Sequence, residues 1–286
     1  MTSKLIRNGI LGLSAIVFGL LASKNVNAKV IDNCKVNTGI YAFYSDTNDS
    51  SKLSGKGLKF DANIDLTKGN IKGSIDTDLV KYNGATYFDG AKITDQDVSL
   101  GEIMIKGGPV YNDVKIKKLN LGVLNPYLGF DYRIDEAGIK PVDFQSVYIS
   151  HEDSSIGPVI GVKNTSDIKG HSLETSIDYI IRSGTTKDDV SGLITSSNQT
   201  PTSGQEIRLT AKYPISNTWD ASIKLTNEQI NCAGRTISNK VEAKVKKTIS
   251  SVLDITGCVE TDDIQKDDSS SLGRGYTGYG GVTYKF

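Results

Sequence analysis

The chain has 286 residues, with 33 Lys and Arg against 33 Asp and Glu and a formal net charge of zero. No Lys- or Arg-rich run stands out, so the sequence offers nothing to a phosphate backbone, and nucleic acid is excluded as a partner. Two histidines and three cysteines, none at zinc-binding spacing, give no reason to expect a metal or a cofactor.

The first residues read as an export address. Lys4 and Arg7 form a short positive region, and Ile10 to Ala22 is almost wholly apolar, shorter than the ~20 residues a membrane helix needs. Small residues at Val26-Asn27-Ala28 suit signal peptidase, so residues 1–28 are expected to be a cleaved signal and residues 29–286 a single domain. Removal of Lys4, Arg7 and Lys24 leaves 30 basic and 33 acidic residues, a net charge of −3. No Cys follows closely enough to accept a lipid anchor, and no long apolar run follows either.

Further along, apolar and polar residues alternate with the period of a β-strand. In 58–66, Leu58, Phe60, Ala62, Ile64 and Leu66 share one face, and Lys59, Asp61, Asn63 and Asp65 the other. The pattern recurs in 171–182, 206–215, 219–226 and, interrupted at Asn239 and Lys247, in 237–248. Fourteen strands are expected, near 36–45, 57–67, 70–81, 98–106, 113–123, 126–134, 144–152, 156–164, 171–182, 206–215, 219–231, 235–248, 252–262 and 275–286. The count is soft between residues 83 and 135, so twelve or sixteen remain open. Alternation suits a soluble sandwich as well as a membrane barrel, but strands of about ten residues suit a tilted crossing of a bilayer. Tight turns at 67–69, 216–218 and 250–251 alternate with polar loops at 46–56, 185–204 and 263–274, the asymmetry of a barrel with one short-turn and one long-loop rim.

The final segment places Tyr276, Gly278, Gly280, Val282, Tyr284 and Phe286 on one strand face. This resembles the C-terminal signature of bacterial outer-membrane barrel proteins, in which a terminal aromatic follows apolar residues at alternate positions. The motif covers only the last dozen residues, and the long-strand pattern extends it over most of 29–286. The resemblance implies an all-β, single closed antiparallel up-and-down transmembrane β-barrel of the porin-like superfamily, in contact with outer-membrane lipids. It also implies the barrel-assembly machinery as insertion partner, reading Val282, Tyr284 and Phe286. With Phe286 at the periplasmic rim, Tyr213, Trp219, Tyr284 and Phe286 gather there as an aromatic girdle.

The polar faces then line the lumen. Aligning the last hairpins puts Lys224 across from Glu242 and Asp220 across from Lys246, with Lys246 near Asp254 and Lys240 near Glu260. With Glu228 and Lys244, these are the expected lumen charges, balanced enough to give no ion preference. Three functions fit: a passive porin-like channel, which leads; a surface-interaction barrel using the 185–204 loop; and a lipid hydrolase. His151-Glu152-Asp153-Ser154 resembles only superficially the His-x-Ser arrangement of outer-membrane lipid hydrolases. Ser154 lies three positions after His151, on the opposite face of a continuing strand, so a loop there and no enzyme are expected. His171 reads as a structural residue at a strand start. Cys34 sits at the opposite rim from Cys232 and Cys258, leaving the last two as candidate disulfide partners. One strand separates them, about 9–10 Å, so a bond would require Cys232 to curl over from its loop.

Overall fold

The computed structural model describes residues 33–47, 51–88, 91–116, 119–143, 147–168, 170–191, 196–232, 234–266 and 271–285. The expected signal at 1–28 and the terminal Phe286 lie outside them. Thirteen strands are described: β1 (Asn33–Thr47), β2 (Ser51–Lys68), β3 (Ile71–Phe88), β4 (Ala91–Pro109), β5 (Tyr111–Ile116), β6 (Leu119–Pro141), β7 (Tyr148–Ile168), β8 (His171–Ser191), β9 (Ser196–Pro214), β10 (Trp219–Asn231), β11 (Arg235–Thr248), β12 (Leu253–Lys266) and β13 (Ser271–Lys285). Each barrel strand pairs antiparallel with its neighbours, and β1 pairs with β13, for instance Ile40 with Val282, to close the ring.

Twelve strands form the wall, not fourteen, because β4 pairs directly with β6 and leaves β5 as an extra piece. β5 continues the line of β4 along β6 past the break at Val110, so the β5–β6 hairpin lies beyond the paired part of β4 at the short-turn rim. Proline cannot donate to a ladder. Beside Pro126, the Asn125 amide reaches the carbonyls of Gly108 and Pro109 at 3.2 and 2.7 Å, and β6 runs on through the expected gap between 113–123 and 126–134. The expected strands 144–152 and 156–164 are likewise one, β7, so His151-Ser154 is strand rather than loop. Most of the 46–56, 185–204 and 263–274 segments is also strand, and β8 stays paired with β9 as far as Val190 and Ser196.

The apolar faces point outward. Leu58, Phe60, Ile177, Ile207, Leu209, Ile223 and Val282 are all exposed on the outer wall, as a lipid belt requires. Tyr213, Trp219 and Tyr284 ring the short-turn rim, with Lys247 lying 5.2 Å over the Trp219 ring. Tyr276 stands eight residues up β13 from Tyr284, about 26 Å along the strand and roughly 20 Å along a membrane normal at the usual tilt. At the same short-turn rim, Gly69 turns β2 into β3 with φ of 56°, a conformation costly for residues with a Cβ.

Candidate pore lumen

Inward-facing side chains divide the lumen between arginines and lysines. Arg182 on β8 is the hub of the first set. Its Nε and Nη2 donate to Asp131 at 2.9 and 2.6 Å, its Nη1 to Glu206 and Glu228 at 2.5 and 2.9 Å, and its Nη2 to Glu102 at 3.0 Å. Arg208 bonds both Glu206 and Glu102, and Arg133 bonds Glu228 at 2.9 Å and Asp135 at 2.9 Å. Arg182, Asp131, Glu206 and Glu228 are buried, so these charges are tolerable only because each is paired and hydrogen-bonded. A guanidinium suits this place because its planar fork serves several carboxylates at once.

Room for the hub comes from β7. Across from Arg182 the β7–β8 ladder skips Gly157 and Pro158, and a Cβ on Gly157 would overlap the carbonyl oxygen of Ile181.

On the other side, lysines and tyrosines replace the arginines. Lys59 bonds Asp78 at 2.6 Å and lies 4.8 Å from the centre of the Tyr279 ring. Lys246 reaches Asp220 at 2.8 Å and Asp254 at 3.5 Å, and Lys285 reaches Asp254 at 2.7 Å. Two carboxylates there take a tyrosine hydroxyl, Asp61 from Tyr41 at 2.9 Å and Glu242 from Tyr279 at 3.2 Å, and on the arginine side Asp178 takes one from Tyr127. Tyr41 and Tyr279 meet edge to face, with centroids 5.4 Å apart.

Three cavities follow one another along the axis. On β3 their lining moves from Lys72–Asp76 through Asp76–Asp78 to Asp78–Thr86, from the short-turn rim outward. Their volumes are about 420, 470 and 630 Å³. The inner and middle cavities share Asp76, Lys106, Lys244 and Lys246, and the middle and outer ones share Lys59, Asp78, Glu102, Arg208 and Lys224.

No family model matches the chain, and no curated protein matches it. Solved structures do. The translocator domain of the autotransporter NalP from Neisseria meningitidis superposes over 100% of this chain and 98% of its own, with a TM-score of 0.54 at 9% identity. The COG4313 outer membrane channel from Pseudomonas putida F1 covers 88% and 95%, with 0.53 at 8% identity. The transport unit of the autotransporter AIDA-I from Escherichia coli covers 98% of both chains, with 0.51 at 10% identity. The fold is that of a bacterial outer-membrane β-barrel.

In this outer-membrane barrel the hairpin registers place Asp220 opposite Lys246 and Lys224 opposite Glu242. Lys240 pairs with Asp262 at 3.8 Å rather than with Glu260, because Glu260 stands directly across from Glu242. Glu228 belongs to the arginine hub, and Lys244 lies 5.7 Å from the centre of the Tyr279 ring. Val282 and Tyr284 are exposed on the outer wall. Cys232 and Cys258 are both free. Cys258 sits mid-way up β12, buried beside Tyr279, whereas Cys232 is in the outer turn with its thiol 3.6 Å from Thr186. Cys258 is thus not at the outer end of its strand, and Cys232 has turned toward β8 instead. Of Cys34 the backbone alone is described, opposite Leu66.

His151 contacts Asp188 at 2.7 Å, both part-exposed near the outer end of β7 and β8. His171 has the Tyr213 ring 5.6 Å away. Sequence reasoning did not single out Arg133, Arg182, Arg208, Glu102, Asp131 or the three tyrosines. Arg182, Glu206 and Arg208 did fall on the polar strand faces, and that placement was the available signal.

Proposed function

We propose that the protein is a passive outer-membrane channel for small hydrophilic solutes or ions. The observation that carries this reading is the succession of three cavities through the barrel, each sharing charged lining residues with the next. Charged side chains along such a route replace part of the hydration shell of a passing solute, as a selectivity region requires. The same fold serves a channel in Pseudomonas putida, in keeping with a through-barrel route. Insertion through the barrel-assembly machinery at Val282, Tyr284 and Phe286 belongs to the same proposal. Purified, refolded protein in a planar bilayer should give discrete conductance steps. Folded protein that inserts without conducting would reject the channel.

A second reading, surface interaction, draws support from the outer end of the β8–β9 hairpin, where Ser196, Ser197, Asn198 and Gln199 are exposed on a paired strand. Cell-surface binding lost on shortening this hairpin, with conductance absent throughout, would favour it.

A further inference from the structure

We propose that the solutes passed by this barrel are small anions, moving along lysines that lack a carboxylate partner. The inference rests on the channel reading and gives it a substrate class. Four inward-facing lysines, Lys72, Lys212, Lys244 and Lys224, have no carboxylate within 4.0 Å among the described residues. They are spaced along the route. Lys72 and Lys212 line the inner cavity, Lys244 belongs to both inner and middle cavities, and Lys224 to both middle and outer ones. An anion entering from the short-turn rim therefore meets a free ammonium group in each compartment.

The carboxylates are in a different condition. Asp76, Asp78, Glu102, Glu206 and Glu228 are paired with Lys or Arg, and Asp61, Asp178 and Glu242 accept tyrosine hydroxyls. Asp65 and Glu260 are the cavity-lining carboxylates without such a bond among the described residues. Asp78 keeps one oxygen, Oδ1, without a hydrogen bond, but a carboxylate already held by a cation or a hydroxyl has less left for a passing cation than an unpaired ammonium, with three donors and no acceptor, has for an anion. The inner cavity adds a long-range bias, because six lysines face four carboxylates there. Formal lumen charge is nearly balanced, so the preference comes from which charges are already satisfied. Inorganic anions and small phosphates or carboxylates suit such a path.

The test uses the full refolded chain in planar bilayers under a potassium chloride gradient. Wild type should give a reversal potential on the chloride side. Replacing Lys72, Lys212, Lys224 and Lys244 together by Gln should lower the chloride-to-potassium permeability ratio severalfold. Should that variant fail to fold, the Lys72→Gln, Lys212→Gln pair at the inner rim should give a smaller shift in the same direction. Millimolar inorganic phosphate should depress the chloride current in wild type and do so less in either variant. A conducting wild type that prefers potassium, or a ratio unmoved by substitution in folded protein, overturns the anion route and leaves the channel standing. Absence of conductance in folded, inserted wild type removes both.

Discussion

The arginine half and the lysine half of the lumen hold different carboxylates and hold them to opposite ends. Around Arg182, Glu102, Glu206 and Glu228 are each shared between two guanidinium groups and Asp131 is held by Arg182 alone, so the four are drawn into one knot. Around Tyr279 the cations are lysines, compact charges on flexible stems, and each makes one or two contacts and leaves space beside it. The difference teaches that a balanced charge count does not decide whether a barrel interior is filled or wet. The donor geometry of the cation does: a forked donor binds strands to one another, and a point donor leaves a channel wall.

The largest expected effect breaks the arginine half. Arg182→Met leaves Asp131, Glu206 and Glu228 with an uncompensated buried charge among them, which should cost about 3–5 kcal/mol of barrel stability. Urea unfolding followed by gel mobility of unheated protein measures it, and a loss below that of Lys246→Gln would contradict the hub.

Next comes the contrast between the wall's two faces. Ile223→Arg should cost roughly 2–4 kcal/mol, because Ile223 is exposed on the lipid side of β10, while Lys224→Ala, one position on, should cost far less. Equal loss of folded barrel in both would reverse the assigned faces.

Tyr279→Phe sharpens the comparison within the lysine half. It removes one hydroxyl from Glu242 at a cost of about 1 kcal/mol and frees a carboxylate into the middle cavity. A shift of reversal potential toward potassium is the expected companion, and stability lost without that shift would count against Glu242 as a lumen group.

The smallest effect is kinetic. In folded protein Cys232 should react with a small water-soluble thiol reagent before Cys258, which is buried behind Tyr279. Equal rates would mean that the lysine half is looser than its contacts indicate.

Legibility in the sequence followed the solvent. Inside the lipid belt one strand face is forced to be apolar, so Ile207, Leu209, Ile223 and Leu225 announce both strand and orientation. Beyond the belt both faces are wet and the period-two signal fades, although ladder bonds persist. For that reason the ends of β8 and β9 read as a loop, and Asp153-Ser154-Ser155 read as a break in β7. Near Pro126 the side chain of Asn125 supplies bonds that no propensity rule anticipates. Adjacent charges such as Asp220 and Lys246 follow from hairpin register. Contacts across the lumen, Arg182 with Glu102 or Arg133 with Glu228, depend on how tightly the barrel closes, which register on any one hairpin does not reveal.

The same arginine knot bears on the order in which the barrel comes into being. Glu102 and Arg208 are 106 residues apart in the chain, and Arg133 and Glu228 are 95 apart, yet neither pair lies on adjacent strands. Such contacts form only once distant parts of the sheet have curled toward each other, late in assembly, when loop-closure entropy has already been met by neighbouring hairpins. The knot ties β4, β6, β8, β9 and β10 to one another across the lumen, a set of contacts that only the closed ring can make, and so acts as a latch on closure.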